Sequence, residues 1–108
     1  MATITEDYCS KEVYRLLREK GFDGEVHTTF DEEGCTQPSI TLQMAMKWLR
    51  EVHKIYITIS PVSGKGYGAI LCDVGDFDDF NYIGETDYFF HPEEAVETGI
   101  KYALENLI

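Results

Sequence analysis

The fold of this chain is decided by residues 55–74, which read IYITISPVSGKGYGAILCDV. The first six residues alternate isoleucine with a tyrosine, a threonine and a serine, and this period of two predicts a strand that buries one face. Pro61 ends the strand, and a glycine-containing turn at 63–66 leads to a second β-rich run from Tyr67 to Val74. Two such runs across a short turn predict a β-hairpin.

Two elements are predicted upstream of residue 31. The segment from Thr5 to Lys20 carries an apolar face with helical spacing, formed by Cys9, Val13, Leu16 and Leu17. Gly21 suits the left-handed residue that commonly ends a helix. The alternation from Glu25 to Asp31 predicts a half-buried strand. The residues from Asp31 to Pro38 are predicted to form a loop.

A second helix is predicted to begin at Ser39 or Thr41, either of which can cap it, and to end at about Lys54. Its apolar face comprises Leu42, Ala45, Met46, Leu49 and Val52, with Met44 and Trp48 beside it. At about 100° per residue this apolar arc covers about half of the helix. The remaining basic stripe consists of Lys47, Arg50 and Lys54. So wide an apolar arc predicts that the helix contacts the sheet and a further surface.

The C-terminal third predicts one more strand and a final helix. Tyr82 to Phe90 is aromatic and β-prone, although Gly84 interrupts it. Pro92 suits the first position of a helix whose apolar face is formed by Val96, Ile100, Ala103, Leu104 and Leu107. The predicted class is α+β in a single domain, residues 1–108. A small antiparallel sheet of three to four strands has helices packed mainly on one face, in the order α-β-α-β-β-(β)-α.

The charge of the chain argues against anionic partners. Twenty Asp and Glu against nine Lys and Arg give a net charge of −11, and residues 66–100 contain no Lys or Arg. Nucleic acid and anionic membrane surfaces would be repelled. From the second helix onward the order α-β-β-β-α is also that of double-stranded RNA-binding domains. Those domains carry a basic cluster where this chain has Glu93, Glu94 and Glu97, so its charge excludes that ligand.

Cysteine usage and the N-terminal sequence bear on the compartment. Three cysteines, Cys9, Cys35 and Cys72, are an odd number without C-x-x-C spacing, which disfavours a disulfide framework and a zinc knuckle. The first residues, MATITEDYCSKE, do not have the pattern of a secretory signal, and no apolar run approaches the ~20 residues of a membrane span. A cytoplasmic location is predicted.

Two segments resemble small proteins of anaerobic gut bacteria and their phages. One is ITLQMAMKWLREVH at residues 40–53, followed by Ile55-Tyr56-Ile57, and the other is the ending from Glu93 to Ile108. The proteins they resemble are uncharacterised. The resemblance therefore implies a shared fold and supplies no activity, cofactor or site residue.

Catalytic and metal sites are not predicted. The acidic stretch from Asp73 to Asn81 offers oxygen ligands to Ca²⁺, but its spacing fails the EF-hand pattern, and a solvated turn is favoured. Three histidines, His27, His53 and His91, lack metal-ligand spacing. Cys9 and Cys72 are predicted to lie on apolar faces and Cys35 in an acidic loop, where a thiolate is disfavoured. We therefore predict no enzyme, no cofactor and no metal.

A protein-interaction module is the favoured function. The candidate interface combines the basic stripe with aromatic residues and comprises Met44, Lys47, Trp48, Arg50, Lys54 and Tyr56. Tyr56 and Tyr67 are predicted to be exposed. The partner is an unknown protein or a second copy in a homodimer. The alternative is an acidic nucleic-acid mimic that inhibits a DNA- or RNA-binding protein, which requires Asp76, Asp79, Glu85, Glu93 and Glu97 on one face.

Overall fold

The computed structural model describes residues 7–24, 26–30 and 33–108. Its elements in chain order are α1 (Lys11–Glu19), β1 (His27–Phe30), β2 (Thr36–Ser39), α2 (Leu42–His53), β3 (Ile55–Val62), β4 (Gly66–Asp73), β5 (Asn81–Glu85) and α3 (Pro92–Asn106). The α+β class is confirmed. From α2 onward the order is α-β-β-β-α, as predicted.

The main sheet is an antiparallel meander in the order β3-β4-β5, with β4 in the centre. Ile57 lies opposite Leu71, and the register between β3 and β4 holds over all eight residues of each strand. Between β4 and β5 the register shifts at Leu71 and Cys72, which is the mark of a β-bulge. The strands β1 and β2 form a separate antiparallel pair.

The helices pack on one face of the main sheet. Ile57, Ala69 and Leu71 point toward α3 and are buried. Gly99 of α3 lies so close to the sheet that a Cβ there would be 3.3 Å from the Cβ of Ala69. Burial of this apolar interface is the main driving force for docking α3. The opposite face of the sheet carries Tyr56, which is exposed.

The first helix begins later than predicted. Ser10 is its N-cap, and the hydroxyl of Ser10 accepts a hydrogen bond from the Val13 N–H. Cys9 is therefore not part of the helix. Cys9 is buried in an extended segment, where its N–H donates to the Ile40 carbonyl at 2.9 Å. The predicted helix residues Thr5 and Glu6 lie outside the described residues.

The segment predicted as a loop contains a strand. Residues 36–39 pair with residues 27–30, so that Thr28 lies opposite Pro38. The sequence Thr-Gln-Pro-Ser has neither apolar alternation nor β-branched enrichment, and its pairing depends on β1. The strand β1 begins at His27, two residues later than predicted, and the predicted strand residues Glu25 and Asp31 lie outside the described residues.

The second and third helices match their predictions closely. Thr41 caps α2, since its hydroxyl accepts the Met44 N–H at 3.1 Å. The apolar face of α2 is shorter than predicted, because Val52 is 56% exposed. Pro92 is the first residue of α3, and the predicted apolar face of α3 is buried except at Leu107, which is half-buried.

Two side chains of the hairpin face differently from the prediction. Tyr67 is half-buried and packs against the core, so the prediction of an exposed Tyr67 is wrong. The side chain of Cys72 lies on the face opposite the helices, because its neighbour Leu71 points toward them and strand side chains alternate. Cys72 is half-buried there, between Tyr56 and Tyr82 in the strand register.

Candidate functional site

A cavity of about 390 Å³ lies between α2 and β3. It brings together four of the six residues of the predicted interface, Met44, Lys47, Arg50 and Tyr56. Met46 and Ile57 supply further apolar lining. The wall of this cavity is therefore basic on the α2 side and aromatic on the β3 side.

A second cavity, of about 450 Å³, lies on the open face of the sheet, which is the face without packed helices. It shares Arg50 and Tyr56 with the first cavity and also includes Thr58, Cys72, Val74, Phe77 and Phe80. We call the linings of the two cavities together the Arg50–Tyr56 surface. This surface continues around the outer strand β3, from the helix side of the sheet to its open side.

The open face of the sheet is rich in exposed aromatic residues. Tyr56, Cys72 and Tyr82 are neighbours across the three strands. Phe77 and Phe80 follow β4 and pack edge to face at 6.3 Å between ring centroids. Phe77 is 88% exposed. Clustered exposed aromatic rings are typical of surfaces that bind another molecule.

Trp48 and Lys54, the other two residues of the predicted interface, lie apart from the cavities. Successive helix residues are about 100° apart, so Trp48 points in a direction about 160° from Arg50. The Trp48 ring packs edge-on against Phe22 at 5.8 Å and against His53 at 4.7 Å. Lys54 ends α2 with a positive φ of 59°. Trp48 is thus mainly a packing residue of α2.

His53 has an unusual buried atom. Its Nε2 is buried, and among the described residues it has no hydrogen-bond partner. Buried polar atoms are normally hydrogen-bonded. The edge-on contact with Trp48 is the main packing of this ring that the structure shows.

The acidic loop after β4 satisfies its own backbone. Asp73 accepts the Gly75 N–H at 2.8 Å, and Asp76 accepts the Asp78 N–H at 3.0 Å. These local bonds are typical of turns. Within the described part of the chain, no group of three His, Cys, Asp or Glu side chains is arranged to hold a metal ion.

The three thiols differ in environment. Burial, with a smaller contribution from the charge of Glu97, raises the pKa of Cys9 to about 12. A thiol with so high a pKa stays protonated at neutral pH and is a poor nucleophile. Cys35 is exposed and Cys72 is half-buried.

A third cavity was missed by the sequence prediction. It measures about 750 Å³ and lies along α1, where it is lined by Lys11, Glu12, Tyr14, Arg15, Arg18 and Pro38. The available signal was the spacing of Lys11, Arg15 and Arg18 at i, i+4 and i+7, which forms a second basic stripe. The contribution of Pro38 from β2 depends on tertiary structure.

Comparison of the chain with protein-family models, curated proteins and solved structures finds no match. The resemblance to proteins of gut bacteria and phages stays a prediction. Across the described ranges, no helix has the length and apolar character needed to span a bilayer.

Proposed function

We propose that this chain is a non-enzymatic protein-interaction module that binds its partner through the Arg50–Tyr56 surface. The observation that carries the proposal is the cavity between α2 and β3, where Met44, Lys47, Arg50 and Tyr56 converge. Arginine, methionine and tyrosine are enriched at protein interfaces, and large contributions to binding come from Arg and Tyr in pockets. Self-association is one form that this interaction takes.

A charge reversal at Arg50 tests the proposal. Tagged Arg50→Glu is compared with Arg15→Glu, because Arg15 is also an exposed helical arginine and pairs only weakly with Glu19, at 3.9 Å. Proteins captured from the native host by the wild type and by Arg15→Glu should be lost with Arg50→Glu. The captured protein is then purified, and its Kd should rise at least tenfold for Arg50→Glu. Equal binding by both variants would contradict the proposal.

The alternative function, an acidic nucleic-acid mimic, has less support. Asp76 and Asp79 follow the last residue of β4, whereas Glu93 follows Phe89, which pairs with Tyr67 at the other end of β4. Eight residues at about 3.3 Å each separate these two ends by about 25 Å. Glu97 accepts the Ser10 N–H at 2.9 Å, on the α1 side of α3. The carboxylates at the two ends of β4 are thus well separated and Glu97 is engaged by Ser10, so we rank the mimic second.

The same capture experiment separates the two functions. A mimic would retain nucleic-acid-binding proteins in Arg50→Glu and lose them when Asp76 and Asp79 are both changed to Asn. The interaction module shows the reverse dependence.

A further inference from the structure

The outer strand β3 is unusually open to pairing. It is eight residues long, carries no charged side chain and lies at an edge of the main sheet. Its register with β4 has no shift. Natural edge strands are usually protected by charges, prolines, bulges or short length. Pro61, near the end of β3, is the one such device within it.

The unpaired backbone groups of β3 can be identified from the hydrogen bonds. The Val74 N–H donates to the Lys54 carbonyl at 2.8 Å, so even-numbered residues of this strand face β4. Antiparallel strands alternate, and the N–H and C=O groups of Ile57 and Ile59 therefore point away from β4, to an edge where no strand of the described residues pairs with them. Pro61 belongs to the same odd-numbered series, and proline is tolerated where the missing N–H faces outward.

The central strand gives an independent check of this alternation. Tyr67 and Phe89 exchange two backbone hydrogen bonds, at 2.7 and 2.8 Å. The odd-numbered residues of β4 therefore face β5, and its even-numbered residues face β3. The two assignments agree.

Recesses lie on both sides of β3. The cavity with Met46 and Ile57 is on the helix side, and the cavity with Thr58 and Phe77 is on the open side. A strand added at this edge sends alternate side chains to the two faces of the sheet. Both recesses are placed to receive them.

The charge distribution favours a second copy of this chain as the occupant. Lys47 and Arg50 line the cavity beside β3, and Lys54 immediately precedes the strand. The other edge, β5, lies within the cation-free range 66–100. The β3 strand carries no carboxylate, so pairing through it brings no strand carboxylates of the two acidic chains together. Because β3 is uncharged, pairing of β3 with the same strand of a second copy places no like charges directly opposite each other.

We infer that two copies pair antiparallel through their β3 strands about a two-fold axis. The pair forms one continuous sheet in the order β5-β4-β3-β3-β4-β5. Such an interface is self-complementary, since each strand offers the same donors and acceptors to the other. The inference rests on the proposed function and specifies how its self-associating form is built.

Sedimentation equilibrium of the full chain, from micromolar to sub-millimolar concentration, tests the pairing. Thr58 is exposed at the middle of β3, and both Thr58→Asp and Thr58→Lys place like charges close together across the joint. Each should raise the dimer Kd at least tenfold. Asn81→Asp puts the same added charge as Thr58→Asp on β5 and should leave the Kd unchanged. Circular dichroism checks that all variants fold.

Amide hydrogen exchange locates the joint. Protection of Ile57 and Ile59 should rise with protein concentration, while protection in β5 should not. A dimer without this rise, or one unaffected by either Thr58 change, would place the contact elsewhere and overturn the inference. Weakening by Thr58→Asp alone would trace the effect to net charge and also overturn it.

A wild type that is monomeric at every concentration removes self-pairing. The proposed function is tested separately, because loss of a heterologous partner in Arg50→Glu does not depend on dimerisation. Failure of the β3 pairing and failure of the interaction module are therefore distinguishable.

Discussion

The two edges of the main sheet differ in every feature that controls strand pairing. The β5 edge has five residues, includes Glu85 and pairs with β4 across a bulge. The β3 edge has eight residues, no charge and no bulge. Length, charge and bulges are the devices that keep edge strands from pairing with other chains. The main sheet is therefore protected at the β5 edge and left available at the β3 edge.

The chain after β5 adds further protection to that side. The Thr86 N–H donates to the Ala69 carbonyl at 2.9 Å, and Phe89 pairs with Tyr67. The Tyr88 ring covers Gly68, where a Cβ would lie 3.2 Å from the ring. This segment occupies β4 beyond the end of β5. Irregular pairing of this kind leaves few regular donors and acceptors for another strand.

Substitution of Gly66 should have the largest effect, because it breaks the protected side. Gly66 has a φ of 108°, and a Cβ there would overlap the carbonyl oxygen of Phe89. Gly66→Ala should lower the free energy of unfolding by about 3 kcal/mol through backbone strain and displacement of the Phe89 segment. Urea denaturation measures the loss.

Gly64→Ala is the matched control in the same turn. Gly64 also has a positive φ, of 81°, but an added Cβ meets no atom of the described residues within 4 Å. Its expected cost is about 1 kcal/mol, from the left-handed conformation alone. Equal costs for the two substitutions would show that the Phe89 contact is unimportant.

Restoring a backbone N–H donor to the β3 edge should strengthen dimerisation. This effect should be smaller than the loss of stability expected for Gly66→Ala. Pro61→Thr returns an N–H to the outward-facing series of β3, and the two-fold axis repeats the gain in the partner. At about 1 kcal/mol per hydrogen bond and two bonds per dimer, the dimer Kd should fall about thirtyfold. Ser63→Thr, in the adjacent turn, should leave the Kd unchanged. Sedimentation equilibrium measures both, and an unchanged Kd for Pro61→Thr would mean that this end of β3 is outside the joint.

Local patterns were sufficient to place the hairpin and the two helices packed on the sheet, but β3 continues through Pro61 to Val62, and β5 ends at Glu85 and not at the predicted Phe90. The isoleucine alternation of β3 and the caps at Thr41 and Pro92 act within a few residues, so the sequence alone located them. The strand β2 and the start of α1 depend on other factors. The four-residue polar strand β2 is stabilised by pairing with β1, which local sequence does not reveal. The helix α1 begins after Ser10 because Ser10 caps it, although the apolar spacing extends back to Cys9.

The sequence predicted the part of the candidate site that lies on α2, but it did not predict how α2 and β3 combine to form the surface. The stripe with Lys47 and Arg50 follows from helical spacing alone. Its junction with Tyr56 depends on how α2 is rotated over β3, and the packing of Trp48 against Phe22 depends on a loop after α1. The place of Tyr82 on the open face was hidden because the register shift between β4 and β5 at Leu71 and Cys72 resets which residues share a face.

The smallest expected effect is a change in the pKa of Tyr82, which responds to the charge of Glu85 on the β5 edge. Its pKa is raised by partial desolvation, then by the charge of Glu85 and a hydrogen bond to that carboxylate. Because the fold favours the neutral phenol, the stability that this group contributes is lost as the pH rises above 10, the ordinary tyrosine value, through the raised value. Glu85→Gln should lower the Tyr82 pKa toward its ordinary value.

Phenolate absorbance in a pH titration measures this change, with Tyr82→Phe assigning the signal and Asp87→Asn as a control for an exposed charge nearby. An unchanged Tyr82 titration in Glu85→Gln would mean that the charge of Glu85 does not influence the pKa of Tyr82. The predicted shift instead means that β5 disfavours an additional negative charge. A β5 edge of this character agrees with the pairing inferred at β3, where the neighbouring side chains are Lys47, Arg50 and Lys54.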